Sequence, residues 1–507
     1  MREVVILQGA RTPFGRGVKG SLKDTRPDDL GIAVVRSALS RSGVAAAEIE
    51  DVVLGCAFPE AEQGMNMARL VSVGAGLPVE VPAMTINRFC SSGVQAAAIV
   101  ADRIAVGQID FGIAGGVESM SMIPMTGAKV SLNPRLVEEQ SALYTPMGVT
   151  AENVARRFQI ARNEQDEFAY QSHQKAVAAQ KAGFFDGEIL PIETTVFDET
   201  GKPRSIKVDR DELPRGDTDV AKLSGLRPAF DPTGSVTPGN SSPLTDGAAA
   251  LVMAGKDKIG DRPFLGYFRA FAVAGVPPEI MGIGPVPAVR KLLAKTGLKV
   301  SDIDVWELNE AFASQAIYCA RELGVPSDRL NVNGGAIAIG HPLGATGARM
   351  TLTALRQLAR SGGRYGIISM CIGGGMGAPG MGIGTRVAAR FRPGGVIQLE
   401  QIAPGLQQGR IAVRPARMFE SADQIPGEII SGGVKLGWRV DAFTGNGDAV
   451  QNLDGFFRRG DVIQDRQGIH MLAQRRLVRG IGEQSAFFIA AMGPNGIAHR
   501  VRPGPGA

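Results

Sequence analysis

The chain has 507 residues, 44 % of them hydrophobic and 6 % aromatic, with 67 glycines and a net charge of +5. That length supports two or three domains around a large, mostly aliphatic core. Residues 391–507 hold thirteen Arg and one Lys against ten Asp plus Glu, so about +4 lies in that stretch and the rest is close to neutral, which argues against nucleic acid as a partner.

Four cysteines without a C-x-x-C pair argue against a disulfide scaffold and a zinc site, and they favour a reducing, cytoplasmic compartment. No leader precedes the first strand, and no apolar run reaches membrane-spanning length, so no membrane partner is expected.

The first strand pattern is Val4-Val5-Ile6-Leu7. An amphipathic helix is predicted over 29–40, a buried strand over 51–56, a strand over 81–86, a helix over 96–106 and a strand over 111–115. Such alternation specifies an α/β fold whose central strands are covered on both faces. Residues 119–247 interrupt it with Pro-, Met- and Asp-rich stretches, plus one helix over 150–158 that continues into 165–182, the pattern of an inserted loop or lid domain.

Beyond residue 266 the order of strand, reactive residue, small-residue helix and strand returns: Val332-Asn333-Gly334-Gly335-Ala336, then His341, a helix over 344–358 and the strand 365–370. It parallels Ile86-Asn87-Arg88-Phe89-Cys90, the helix behind it and Phe111-Gly112-Ile113. Two related halves, 1–265 and 266–390, with a site at their junction are therefore expected. Residues 391–507 differ in composition and show no strong period, an extension of unknown fold.

Two cysteines stand out. Cys90 lies where a strand meets a helix, so the positive end of the helix dipole is expected to lower its pKa; the alternative is an inert packing cysteine. Cys371 follows a strand and opens Cys371-Ile372-Gly373-Gly374-Gly375-Met376-Gly377. This is either a strand-end cysteine before a turn or the start of a dinucleotide loop, which Ala378-Pro379 disfavours as a helix start.

His341, in Gly340-His341-Pro342-Leu343-Gly344, is placed to accept a thiol proton from a turn before a helix, or is structural. Asn309 orients a water or a carbonyl oxygen, or caps the helix through Ala320. Cys56 and Cys319 read as packing residues without partners. The Met120, Met122 and Met125 cluster reads as core filling, and His173, His470 and His499 carry no motif.

Five segments in this order resemble thiolases: Asn87-Arg88-Phe89-Cys90-Ser91-Ser92-Gly93, Gly115-Gly116-Val117-Glu118-Ser119-Met120-Ser121, Asn309-Glu310-Ala311-Phe312-Ala313, Asn333-Gly334-Gly335-Ala336 through His341-Pro342, and the Cys371 glycine run. The resemblance covers residues 1 to about 378 and implies the thiolase fold, two duplicated βαβαβαββ halves in a five-layer αβαβα sandwich with an inserted loop domain.

It also implies roles. Cys90 would attack the 3-oxoacyl group, His341 accept its proton and Cys371 protonate the departing acetyl-CoA carbanion. One oxyanion site would use His341 with a water held by Asn309, the other the N–H groups of Cys90 and Gly373. Ser242 would meet the pantetheine arm and Arg215 the CoA nucleotide, with Met147 and Phe312 also in the substrate site. Coenzyme A would be a co-substrate, with no cofactor and no metal. A homodimer or homotetramer, and association with the preceding β-oxidation enzyme, are family expectations.

Where biosynthetic acetoacetyl-CoA enzymes typically carry His, this chain has Pro146, which favours a degradative 3-ketoacyl-CoA thiolase over an acetoacetyl-CoA condensing one. Cys371 argues against a ketosynthase-like enzyme, and the intact reactive set against a non-catalytic acyl-CoA carrier.

Overall fold

The computed structural model describes residues 1–385 together with short strand segments between 396 and 490. Met1–Val387 form one compact unit and Ala388–Ala507 another. In the second unit Val396–Gln398, Arg410–Arg414, Trp438–Phe443 and Ala449–Gly455 pair as an antiparallel meander, and Val462–Gln464, His470–Leu472 and Ile489–Ala490 pair as a separate antiparallel sheet; the remaining residues of the extension lie outside the described ones.

The first half runs β1 (Val4–Arg11), α1 (Pro27–Ser42), β2 (Asp51–Gly55), α2 (Met67–Gly74), β3 (Ala83–Ile86), α3 (Ser92–Ala105) and β4 (Phe111–Ser119). An insertion carries α4 (Met147–Arg157), α5 (Arg162–Lys181) and a hairpin of Ile192–Phe197 with Pro203–Val208, and the chain returns as β5 (Thr245–Gly255). The second half runs β6 (Gly266–Phe271), α6 (Pro285–Thr296), β7 (Val305–Leu308), α7 (Ala313–Leu323), α8 (Leu343–Ser361), β8 (Tyr365–Ile372) and β9 (Met376–Gly384).

The strands follow one path, β7-β8-β9-β6-β1-β5-β4-β2-β3. From the central β1–β6 junction outward, both halves repeat the same pairings: two antiparallel ladders, then parallel ones. The duplication read from the sequence is present. In the second half the strand matching β3 shrinks to a single parallel bridge between Trp306 and Leu330.

Three apolar clusters define five layers. Leu30 and Val34 of α1 and Val71 of α2 cover one face of the first half's strands beside Leu7, Ile113 and Val252. Val94, Ala97 and Ala101 of α3 and Ala345, Ala348 and Leu352 of α8 fill the middle, against Ile6 and Leu251 on one side and Phe268 and Ile368 on the other. Val289 and Leu292 of α6 and Ala316 and Cys319 of α7 cover the outer face of the second half beside Trp306 and Ile367.

The two middle helices approach until backbone meets backbone. A Cβ on Gly93 would stand 2.8 Å from the Ala348 nitrogen, and one on Gly347 would stand 2.2 Å from the Val94 nitrogen. Only glycine permits that approach. It brings together the N-termini of α3 and α8, the helices that follow Cys90 and His341.

The insertion departs from expectation in one place. The helix predicted to run on past residue 158 stops at Arg157, and α5 starts afresh at Arg162. Gln159 takes φ +55 between them, a left-handed residue that no helix interior tolerates. The insertion is tied to the body by buried charge: Arg11 of β1 donates to Asp211 at 2.7 and 2.9 Å and to Glu188 at 3.2 Å.

Candidate active site

The turn carrying Cys90 is strained and buttressed. Phe89 has φ +41, a conformation a bulky residue adopts only when its surroundings enforce it. The enforcement comes from side chains: the Asn87 carboxamide accepts the Phe89 N–H at 2.8 Å and donates to the Ala57 carbonyl at 2.9 Å. Ser92 Oγ accepts the Arg88 N–H and donates to the Phe89 carbonyl, both at 2.8 Å. Cys90 sits at the tip, 6 % exposed, among Ala57, Phe58, Phe89, Met120 and Leu343.

Cys371 lies within β8, paired with Gly377 of β9. The glycine run is the hairpin between them, turned by Gly374 at φ +81 and Gly375 at φ +89. With a strand rather than a helix after the glycines, the dinucleotide reading falls. The hairpin brings the Gly373 N–H near enough to the Cys90 thiol to favour its charged form, as the N–H of Cys90 itself does. Cys371 is fully buried with Ala311, Phe312, Met281, Val236 and Ala151, with Met147 packed against them. Its thiol donates to Gln315 Oε1 at 3.3 Å, and it lies near enough to Cys90 for charge on one to oppose charge on the other.

His341 projects from the turn before α8, as its sequence setting predicts. Gly340, at φ +105, bends the chain into place, and the His341 N–H donates to Thr245 Oγ1 at 3.0 Å. Nδ1 and Thr346 Oγ1 are 2.7 Å apart, and that hydroxyl already donates to the Pro342 carbonyl at 2.9 Å. The hydroxyl therefore accepts from Nδ1–H, and the lone pair is left on Nε2. Nε2 faces the Asn309 amide nitrogen at 3.2 Å. Asn309 does not cap α7: that place belongs to Phe312.

Burial decides the electrostatics. It pushes the Cys90 thiol up to about 12, with the negative charge of Glu118 acting in the same direction and the Gly373 N–H opposing both. The expectation of a thiol lowered by its helix is thereby corrected. A helix terminus is worth about 1 kcal/mol, whereas raising a thiol from its ordinary 9.0 to about 12 corresponds to about 4 kcal/mol. Burial, helped by Arg349, presses the His341 imidazole down to about 3. Burial and the neighbouring Cys90 hold Cys371 well above the ordinary thiol range. Each of these shifts favours the neutral form of its group.

The remaining expected residues separate into near and far. Phe312 and Met147 stand in the Cys371 cluster, and Ser242, half-buried, donates through N and Oγ to the Ala311 carbonyl at 2.9 and 3.1 Å beside them. Arg215 lies at the surface, its guanidinium 3.6 Å from Asp217. Its backbone N–H donates to Nδ1 of buried His173 at 3.2 Å, so His173 has a structural partner that the sequence did not suggest. Cys319 also has a partner, the Gly282 carbonyl at 3.2 Å, and Cys56 lies 3.8 Å from Glu118 Oε1. Met120 packs on Cys90, whereas Met125 is exposed.

Two residues received no role from the sequence. Glu118, buried at the end of β4, accepts from Ala57 N at 2.8 Å, Phe58 N at 3.3 Å, Gln63 Nε2 at 2.8 Å and Gly344 N at 2.9 Å. It joins the loop under the Cys90 turn to the start of α8. The available signal was a lone carboxylate directly after the apolar run 111–117. Gln315 is the second, and nothing in its helical spacing marks it.

Comparison with known proteins agrees with this geometry. Residues 4–257 match the thiolase N-terminal domain model and residues 262–381 the thiolase C-terminal domain model. A 3-ketoacyl-CoA thiolase of Bacillus subtilis is 50 % identical over 388 residues, covering 75 % of this chain and 99 % of that one. A peroxisomal 3-ketoacyl-CoA thiolase A of Mus musculus is 48 % identical over 381 residues, covering 74 % and 89 %. The crystal structure of the Bacillus anthracis acetyl-CoA acetyltransferase superposes with a TM-score of 0.68 at 38 % identity, covering 76 % of this chain and 99 % of that one. With both domain models matched in order across its two duplicated halves, the chain belongs to the thiolase family.

Proposed function

We propose that this enzyme is an acetyl-CoA C-acyltransferase, a 3-ketoacyl-CoA thiolase that cleaves 3-oxoacyl-CoA with CoA in fatty-acid β-oxidation. The chemistry is supported by the backbone N–H groups of Gly373 and Cys90 favouring the charged form of the Cys90 thiol, with Cys371 near enough for its charge to oppose that of Cys90. The relatives named 3-ketoacyl-CoA thiolase support the substrate class.

In this reading Cys90 attacks the 3-oxo carbon as its proton passes to His341 Nε2. The C2–C3 bond breaks, leaving acyl-Cys90, and the electron pair on C2 takes the Cys371 proton, releasing acetyl-CoA. The CoA thiol then attacks the thioester and returns a proton to Cys371, while His341 reprotonates Cys90. The first oxyanion forms near His341 and a water held by Asn309. The second forms at the N–H pair of Cys90 and Gly373, each donor being worth about 10²–10³ in rate.

Met147 and Phe312 line the acyl and thioester region, Ser242 meets the pantetheine arm, and Arg215 takes the nucleotide end of CoA. No other cofactor and no metal enters this scheme. The biosynthetic alternative, acetoacetyl-CoA condensation, has less support: Pro146 stands where those enzymes typically carry His, and the matched acetyltransferase is less similar than the 3-ketoacyl-CoA thiolases. Family habit extends the reading to a cytoplasmic homodimer or homotetramer that associates with the preceding β-oxidation enzyme. Among the described residues no helix is long and apolar enough to cross a membrane.

The test is a pair of variants. Cys90→Ser is expected to abolish thiolysis, whereas Cys371→Ser still forms acyl-enzyme from a saturated acyl-CoA. Normal turnover by the Cys90 variant would refute the assignment. A chain-length series of 3-oxoacyl-CoA substrates separates the degradative from the biosynthetic reading.

A further inference from the structure

We propose that Gln315 is a positioning residue for Cys371: its amide carbonyl anchors the thiol so that the sulfur stays fixed while its proton moves to and from the substrate carbon. The inference rests on the reading of Cys371 as the acid–base group and adds the device that holds it.

Gln315 is fully buried in the first turn of α7, and its Oε1 receives the Cys371 S–H at 3.3 Å. Its stem is fixed from behind, because a Cβ on Gly282 would stand 2.7 Å from Gln315 Cβ. The Gly282 backbone is itself held by the Cys319 thiol at 3.2 Å, one helical turn beyond Gln315. The sulfur of Cys371 is fixed by its own strand, β8, in register with Gly377. Acceptor and donor thus sit on separate rigid elements, the arrangement that keeps a reacting group within a fraction of an ångström of its working position.

The chemistry suits an amide. A thiol rotates freely about Cβ–Sγ, so with its sulfur anchored the S–H can swing between the Gln315 carbonyl and the α-carbon without any side-chain rotamer change. A carboxylate at the same place would repel the thiolate formed when the proton leaves. A neutral carboxamide satisfies the resting thiol, and its other end carries N–H groups rather than a second negative oxygen.

The experiment separates the two halves of the reaction. In heavy water, exchange of the acetyl-CoA methyl protons reads proton transfer at Cys371, and acyl-enzyme formation from a saturated acyl-CoA reads Cys90. For Gln315→Met and Gln315→Leu, which keep the volume and remove the acceptor, methyl exchange is expected to slow about tenfold, the rate equivalent of one hydrogen bond, with acyl-enzyme formation within about twofold of wild type. Unchanged exchange, or equal loss in both steps in both variants, overturns the inference, since a merely structural role would not single out one step. A Cys371→Ala arm tests the reading beneath it: exchange persisting in that variant removes Cys371 as the acid–base group, and the inference with it.

Discussion

Glu307 offers a pH experiment whose sign follows from the structure. Its carboxylate, on β7, meets the Arg349 guanidinium of α8 at 3.2 Å, both about 1 % exposed. Burial pushes the Glu307 carboxyl up to about 7, against the pull of Arg349 and with Glu310 and Glu188 adding negative charge nearby. Burial also lowers Arg349, so the cost of desolvating both charges outweighs their attraction. A carboxyl raised on folding stabilises the protein fully below its unfolded pKa, and that contribution is lost as pH rises through the folded value.

Moving from the ordinary 4.5 to about 7 amounts to about 3 kcal/mol. The assay is urea unfolding at pH steps from about 4.5 to 8, comparing wild type with Glu307→Gln, a permanent mimic of the protonated acid; groups common to both cancel. The wild type is expected to lose about 3 kcal/mol relative to the variant over that span. A difference constant with pH would mean that folding does not raise the Glu307 carboxyl and would refute the reasoning. The pair sits where it affects the site, because β7 leads into Asn309 and α8 starts just past His341.

Four further outcomes are expected. Glu118→Ala strands the four donors described above and should cost about 4 kcal/mol in denaturant unfolding. Glu118→Gln keeps an acceptor, and by removing the charge that raises Cys90 it should shift iodoacetamide labelling of Cys90 to lower pH. Gly347→Ala, whose Cβ would stand 2.2 Å from the Val94 nitrogen, should destabilise by about 3 kcal/mol, read by thermal melting. A chain ended after residue 390 should retain thiolysis in the turnover assay, since the candidate site residues all lie at or before Gly373.

Much of the fold was legible because it is written locally. The alternation of periods, the small residues behind Cys90 and His341 and the repeated order of elements all lie within short windows of sequence, and they survive into the structure with boundaries moved by a few residues. The break at Gln159 was not legible: its neighbours carry helical periodicity, and no Gly or Pro marks the stop. The bridge at Leu330 was lost for a similar reason, since a strand reduced to one pair has no period.

At the site, the sequence identified the thiols and the imidazole but gave the wrong direction for the Cys90 pKa. The helix terminus is a local feature, whereas the burial that overwhelms it comes from Ala57, Met120 and Leu343, far apart in the chain. Glu118 was hidden likewise. Its own motif is contiguous, but its donors come from residues 57–63 and from Gly344.

The neutrality of the resting site connects the fold to the reaction. A thiol pushed up to about 12 and an imidazole pushed down to about 3 both disfavour a standing ion pair, so charge is expected to arise together with bond formation at the substrate carbonyl. Stabilisation at that moment has to be already in place, because a buried site has little water to reorganise. One contribution comes from the second half of the chain, as the Gly373 N–H that favours charge on the first half's thiol. That donor is useful only if the halves are held to a fraction of an ångström. The glycine contact between α3 and α8, the carboxylate of Glu118 reaching Gly344, and the Glu307–Arg349 pair all serve that registration. Each ties an element next to a reactive group to a neighbouring part of the fold. Loosening any one of them should therefore lower kcat more than it raises KM.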